Sequence, residues 1–158
     1  MRLDSSLENV GAEFLVLGNL LIEKIQAFKA YNNFPGYDIV ATNAQKHSSC
    51  FIQVKSRWAT DASGFLIRNF DCDFVVVVLL NRGYRKSRKR QPDDLGRREP
   101  VFYVLPAKIV KDAQHKDSNW GKVYLRHIDQ RDQYIGNWNL VRQFLDGEFS
   151  PETSASAP

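Results

Sequence analysis

The sequence predicts an α/β fold in a single domain, and three observations carry that expectation. Leu7, Val10, Phe14, Leu17 and Leu21 repeat at steps of three and four, the spacing of one face of an α-helix. Phe74 to Leu80 is an unbroken apolar run rich in valine, the mark of a central strand buried on both faces. The chain has 158 residues, enough for one domain and too few for two of ordinary size.

The elements follow in order. Ser5 with Glu8 has capping-box spacing and starts an amphipathic helix of roughly Ser6 to Lys24. Ile25 to Tyr31 reads equally as continued helix or as strand, and Asn32-Asn33-Phe34-Pro35-Gly36 breaks it. Tyr37 to Ala41 reads as a strand, Asn43 to Ser49 as a turn, and Cys50 to Lys55 as a second strand pairing with the first in a hairpin. Trp58 to Phe70 has no clear pattern, and Asp73 to Leu80 is the central strand. Val101 to Leu105 is a further strand, and Pro106 opens a helix reaching about Gln114. Gly121 to His127 reads as a short strand, and Asn137 as the cap of a last helix carrying Trp138, Leu140, Val141, Phe144 and Leu145. The domain is expected to span 1–149. The low-complexity end, Ser150 to Pro158, is expected to be a disordered tail.

Apolar residues at 43% and charged residues at 25% fit a soluble globular protein and not a disordered or membrane one. No apolar run nears the roughly 20 residues of a membrane helix, so no membrane partner is expected. The first residues lack an apolar signal region, which points to the cytoplasm. Cys50 and Cys72 are isolated and read as small apolar fillers in a reducing compartment.

Charge is concentrated in one place. Arg82 to Arg98 holds eight basic residues against Asp93 and Asp94, a net +6, while the rest of the chain is at −2. The segment has glycine, proline and almost no large apolar residues, so it reads as a loop, 82–98. It is either a solvated insertion or an arm that meets phosphates, to which clustered guanidinium groups are suited.

Asp38 opens an otherwise apolar strand, and a carboxylate there must be paired, hydrated or metal-bound. Fifteen residues on, strand alternation puts Gln53 and Lys55 on one face, with Ile52 and Val54 on the other. If the two strands pair, Asp38 lies beside Gln53 and Lys55, an oxygen cluster with an adjacent ammonium. Magnesium takes hard oxygen ligands of this kind, and a lysine beside it can position an attacking water. Glu13 sits at the edge of the helix face turned to the sheet, either as a border residue or as a second acidic ligand.

This arrangement resembles the PD-(D/E)xK nuclease superfamily, to which many restriction endonucleases and the archaeal Holliday-junction resolvases belong. The matching pattern is helical Glu13, then Pro35-Gly36-Tyr37-Asp38 entering a strand, then Gln53-Val54-Lys55. The resemblance covers roughly Leu7 to Leu80. It implies a restriction endonuclease-like core, a central mixed β-sheet flanked by helices, and makes Ile25–Tyr31 the first strand of a meander. It also implies magnesium- or manganese-dependent hydrolysis of DNA phosphodiesters. Asp38, Glu13 and Gln53 would hold the metal, and Lys55 would orient the water. DNA is then the partner, and a homodimer is compatible with the reading.

The chain departs from the family pattern in two places. Gln53 stands where an acid is usual, and a neutral amide holds magnesium more weakly than a carboxylate. No helix is apparent between Ser56 and Asp73, so the Pro106–Gln114 helix would have to cover the sheet there.

Arg57 and Arg68 flank the site and are candidates to hold phosphates, together with Arg85, Lys86, Arg88, Lys89 and Arg90 of the basic loop. Trp58, Trp120 and Trp138 read mainly as core, with a stacking role open for Trp58. His47, His115 and His127 lack metal-ligand spacing. The readings in competition are thus a DNA endonuclease, a nuclease-fold subunit that binds nucleic acid without cutting it, and an interaction domain in which Asp38 and Lys55 form a structural ion pair.

Overall fold

The computed structural model describes residues 5–31, 36–84, 95–116 and 120–149. The N-terminal helix α1 (Ser5–Ile22) leads into the edge strand β1 (Gln26–Lys29), followed by β2 (Ile39–Asn43) and the long β3 (Ser48–Arg57). A short β4 (Gly64–Leu66) precedes β5 (Phe74–Leu79) and β6 (Val101–Pro106). Helix α2 (Ala107–His115), strand β7 (Lys122–Tyr124) and helix α3 (Asn139–Leu145) complete the described part. None of its helices is long and apolar enough to cross a membrane.

Five strands form one mixed sheet in the order β1-β2-β3-β5-β6. β1, β2 and β3 make an antiparallel meander, β3 runs parallel to β5, and β5 pairs antiparallel with β6. Alternation along β5 divides the core. Phe74, Val76 and Val78 pack with α1 and α3, while Val75, Val77 and Leu79 pack with α2, Phe65 of β4 and Val123 of β7. Cys50 is buried in the first layer, and Cys72 packs against the second. Burial pushes both thiols up, Cys72 to about 12, so both stay protonated at neutral pH and serve as fillers.

The parallel crossover from β3 to β5 contains no helix. Its chain forms β4, which pairs with β7, and α2 covers that side of the sheet. The strand reading of Ile25–Tyr31 and the hairpin through the 43–49 turn both hold. In that turn the Asn43 side chain accepts the Gln45 and Lys46 N–H groups.

Three expectations are corrected. The stripe Leu7, Val10, Phe14 and Leu21 faces outward, with Leu7 75% exposed; Ala12, Val16 and Leu20 face the sheet, with Leu17 only partly buried. The helix is apolar on two faces, and the one turned to the strands carries the small Ala12 with Val16 and Leu20. Asn137 does not cap α3: Trp138 holds the cap position, and the Asn137 amide donates to the Gln133 carbonyl. Trp120 is 87% exposed and not core, whereas Trp138 is buried.

Candidate active site

β1 and β2 pair with Lys29 opposite Ile39, so the end of β1 and the entry to β2 meet at one end of the sheet. Asp38 stands at that entry. Its N–H donates to the Ile52 carbonyl at 2.8 Å, and its Oδ2 accepts the Val54 N–H at 2.8 Å. Asp38 is therefore fastened to β3 on both sides of Gln53. The approach is tightly built: Gly36 has φ +100°, and a Cβ there would lie 2.8 Å from that of Asp71. Pro35 and the residues just before it lie outside the described residues.

Burial raises the Asp38 carboxyl above the ordinary aspartate value. The Val54 hydrogen bond opposes this, the Glu13 charge adds to it, and the Lys55 and Lys29 charges oppose it. Asp38 thus feels each of the other three charged groups. Glu13, on the sheet border of α1, pairs with Lys29, its Oε2 3.0 Å from Nζ. The ion pair of this cluster is Glu13 with Lys29, not Asp38 with Lys55. The Lys55 ammonium makes no hydrogen bond or ion pair among the described residues. Gln53 Oε1 is buried without a hydrogen-bond partner. A buried carbonyl oxygen left unmatched costs stability, so this is a position that a water or a cation can fill.

Among the described residues no group of three His, Cys, Asp or Glu side chains converges. The oxygen donors here are two carboxylates and the Gln53 amide. That set suits a hard divalent cation, and the unmatched Gln53 oxygen fits such an ion.

A cleft of about 320 Å³ runs from Lys55 past Arg57 and Trp58, with Glu8 and Leu66 on its walls and Phe65 behind them. Arg57 lines this cleft while its Nη1 donates to the Gly64 carbonyl, and Arg68 is exposed. Arg85, Lys86, Arg88, Lys89 and Arg90 lie outside the described residues. At the ends of the basic loop, Tyr84 N–H donates to the Leu95 carbonyl, and Arg98 pairs with Asp61 at 2.6 Å. Arg98 is thus tied down and not a free arm cation.

Sequence reasoning missed two residues. Lys29 lay in the stretch that read equally as helix or strand; as a strand, its alternation with Ala27 would have turned it towards α1. Asp73 was passed over as the start of a strand, yet its Oδ2 accepts the Phe51 N–H at 2.8 Å.

No family model and no curated protein matches the sequence. Among solved structures, the bacterial homing endonuclease I-Ssp6803I matches with a TM-score of 0.59 and 19% identity, over 96% of this chain and 99% of that one. At that identity the likeness is one of fold, and it extends over nearly the whole length of both chains: the mixed sheet and its flanking helices form a nuclease-like fold.

Proposed function

We propose that the chain is a metal-dependent DNA endonuclease of the PD-(D/E)xK kind. The observation that carries the reading is the buried, unpartnered Gln53 oxygen, flanked by the two bonds that fasten Asp38 to β3. Asp38, Glu13 and Gln53 would hold magnesium or manganese. A bound ion of this kind lowers the pKa of its water and offsets charge at phosphorus. Lys55, without a competing partner among the described residues, holds the attacking water and steadies negative charge on the phosphoryl oxygens. Arg57 and Arg68, with the basic loop, hold flanking phosphates. A nuclease fold in the solved homing endonuclease supports the same substrate class.

A homodimer and a cytoplasmic location belong to the same proposal. The outward stripe of α1, Leu7, Val10, Phe14 and Leu21, gives a second copy an apolar surface. Sedimentation of the purified chain, parent against Leu7→Asp, reads that part separately.

Nicking of supercoiled plasmid tests the central reading. The parent should cut with magnesium or manganese and stop with EDTA, and Asp38→Ala and Lys55→Ala should not cut while still binding DNA. Salt-sensitive DNA binding by the parent without cleavage under any divalent metal would make the chain a binding subunit instead.

A further inference from the structure

We propose that Lys29 is a positioning residue that holds the Glu13 carboxylate and keeps the cation site electrically neutral until a DNA phosphate enters. This rests on the reading that the cluster takes a divalent cation.

Lys29 ends β1 with only 9% of its side chain exposed. Its Nζ lies 3.0 Å from Glu13 Oε2, 4.3 Å over the Phe14 ring and 5.6 Å from the Tyr31 ring. An ammonium so withdrawn from water needs compensation, and here one carboxylate and two ring faces supply it. Glu13 and Phe14 are neighbours on α1, so the helix fixes the ammonium against the acid that would serve as ligand.

The charges then balance. Glu13 and Asp38 bring two negative charges, Lys29 and Lys55 two positive ones, and Gln53 none. A cation entering this cluster meets no net attraction and must compete with Lys29 for Glu13. A phosphodiester changes both terms. It adds a negative charge that the ammonium groups partly offset, which weakens the hold of Lys29 on Glu13 and leaves the cluster net negative. Metal and DNA therefore bind cooperatively, each raising affinity for the other by the same factor.

The test is calorimetric titration of manganese into the full chain, with and without a cleavage-resistant phosphorothioate duplex, for the parent, Lys29→Met and Lys29→Arg. The parent should bind manganese weakly alone and on the order of tenfold more tightly with the duplex. Lys29→Met should bind manganese without DNA about tenfold more tightly than the parent and lose most of the gain from the duplex, and Lys29→Arg should restore the parent's behaviour. Parent affinities that are equal with and without the duplex overturn the proposal, whether or not the variants fold. So does a Lys29→Met chain that melts earlier yet keeps the parent's metal affinity, since Lys29 would then only pin α1 to the edge strand. If Asp38→Ala abolishes manganese binding in that case, the metal site stands and only the role of Lys29 falls. If the parent binds no manganese even with the duplex, both fall.

Discussion

The Asp38 carboxylate accepts the backbone N–H of Val54 at 2.8 Å, and Val54 lies between Gln53 and Lys55 in sequence. The hairpin register sets this up. Ile39 pairs with Ile52, so the residue before β2 reaches the middle of β3, and the length of the 43–48 turn decides which residue it meets. A one-residue slip would send Gln53 and Lys55 to the α1 face and replace them with Ile52 and Val54. The fifteen-residue gap from Asp38 to Gln53 is thus a statement about register.

Asp38→Asn should abolish cleavage, by at least about 10³-fold, and yet raise thermal stability in EDTA. Burial lifts the Asp38 carboxyl above its ordinary value, so between the unfolded and folded pKa values the native state binds more protons. The contribution of Asp38 is therefore full below its unfolded pKa and is lost as pH rises through its folded pKa. Near neutral pH asparagine avoids holding that charge and still accepts the Val54 N–H. Melting curves should show a gain of a few degrees at pH 7 that disappears near pH 3. A variant less stable than the parent at pH 7 without metal would contradict this account.

Gln53→Glu should bind magnesium more tightly, with a metal-free fold less stable than the parent's. The change is nearly isosteric and puts a third carboxylate where a buried oxygen has no partner. Without metal that charge meets Asp38 and Glu13 and the cost of burial. The melting temperature should fall in EDTA and rise by more than the parent's when magnesium is added. Weaker calorimetric binding would place the Gln53 side chain away from the ion.

Strand positions were more legible in the sequence than helix orientation, for a physical reason. The Phe74–Leu80 run admits one reading, because a strand buried on both faces needs apolar residues at every position. Helix α1 carries two apolar stripes, and only packing decides which is used: Ala12, Val16 and Leu20 turn inward although Leu7, Val10 and Phe14 are larger. Glu13 was placed at the sheet border from the wrong stripe and still lies there, since it adjoins both. Asp38, Gln53 and Lys55 were legible because period-two alternation and a short turn bring them together. The Glu13–Lys29 pair was not, because it joins a helix to a strand whose identity local pattern left open.

Replacing Arg85, Lys86, Arg88, Lys89 and Arg90 with serine should weaken binding to unrelated DNA sequences alike. These five lie outside the described residues, and the expectation rests on a +6 segment in a chain otherwise at −2. Each cation that meets a phosphate adds about 0.9 to the slope of log affinity against log salt, so the slope should flatten by up to about 4.5. Cleavage at saturating DNA should change little. An unchanged slope would move the DNA surface to Arg57, Trp58 and Arg68.

Asp73 offers a contrast to Asp38, since burial also raises its carboxyl and a β3 N–H also opposes the rise. Its Oδ2 accepts the Phe51 N–H at 2.8 Å, its own N–H donates to the Phe51 carbonyl at 2.8 Å, and its carbonyl accepts the Ala107 N–H at 3.0 Å. One residue so ties the start of β5 to β3 on one side and to α2 on the other. That is a structural task, and among the described residues Asp73 has no unpartnered amide or lysine beside it of the kind that flanks Asp38. Asp73→Ala should cost about 1 kcal/mol of stability by leaving the Phe51 N–H to water. Asp73→Asn should recover all of that loss and, as at Asp38, melt at or above the parent at pH 7, because its amide oxygen can accept the same N–H without a half-buried charge. Both variants should keep the parent's manganese affinity and cleavage rate at a temperature where they are folded. Loss of metal binding in Asp73→Asn would bring Asp73 into the site and make the acid at the head of β5, not the glutamine of β3, the third ligand.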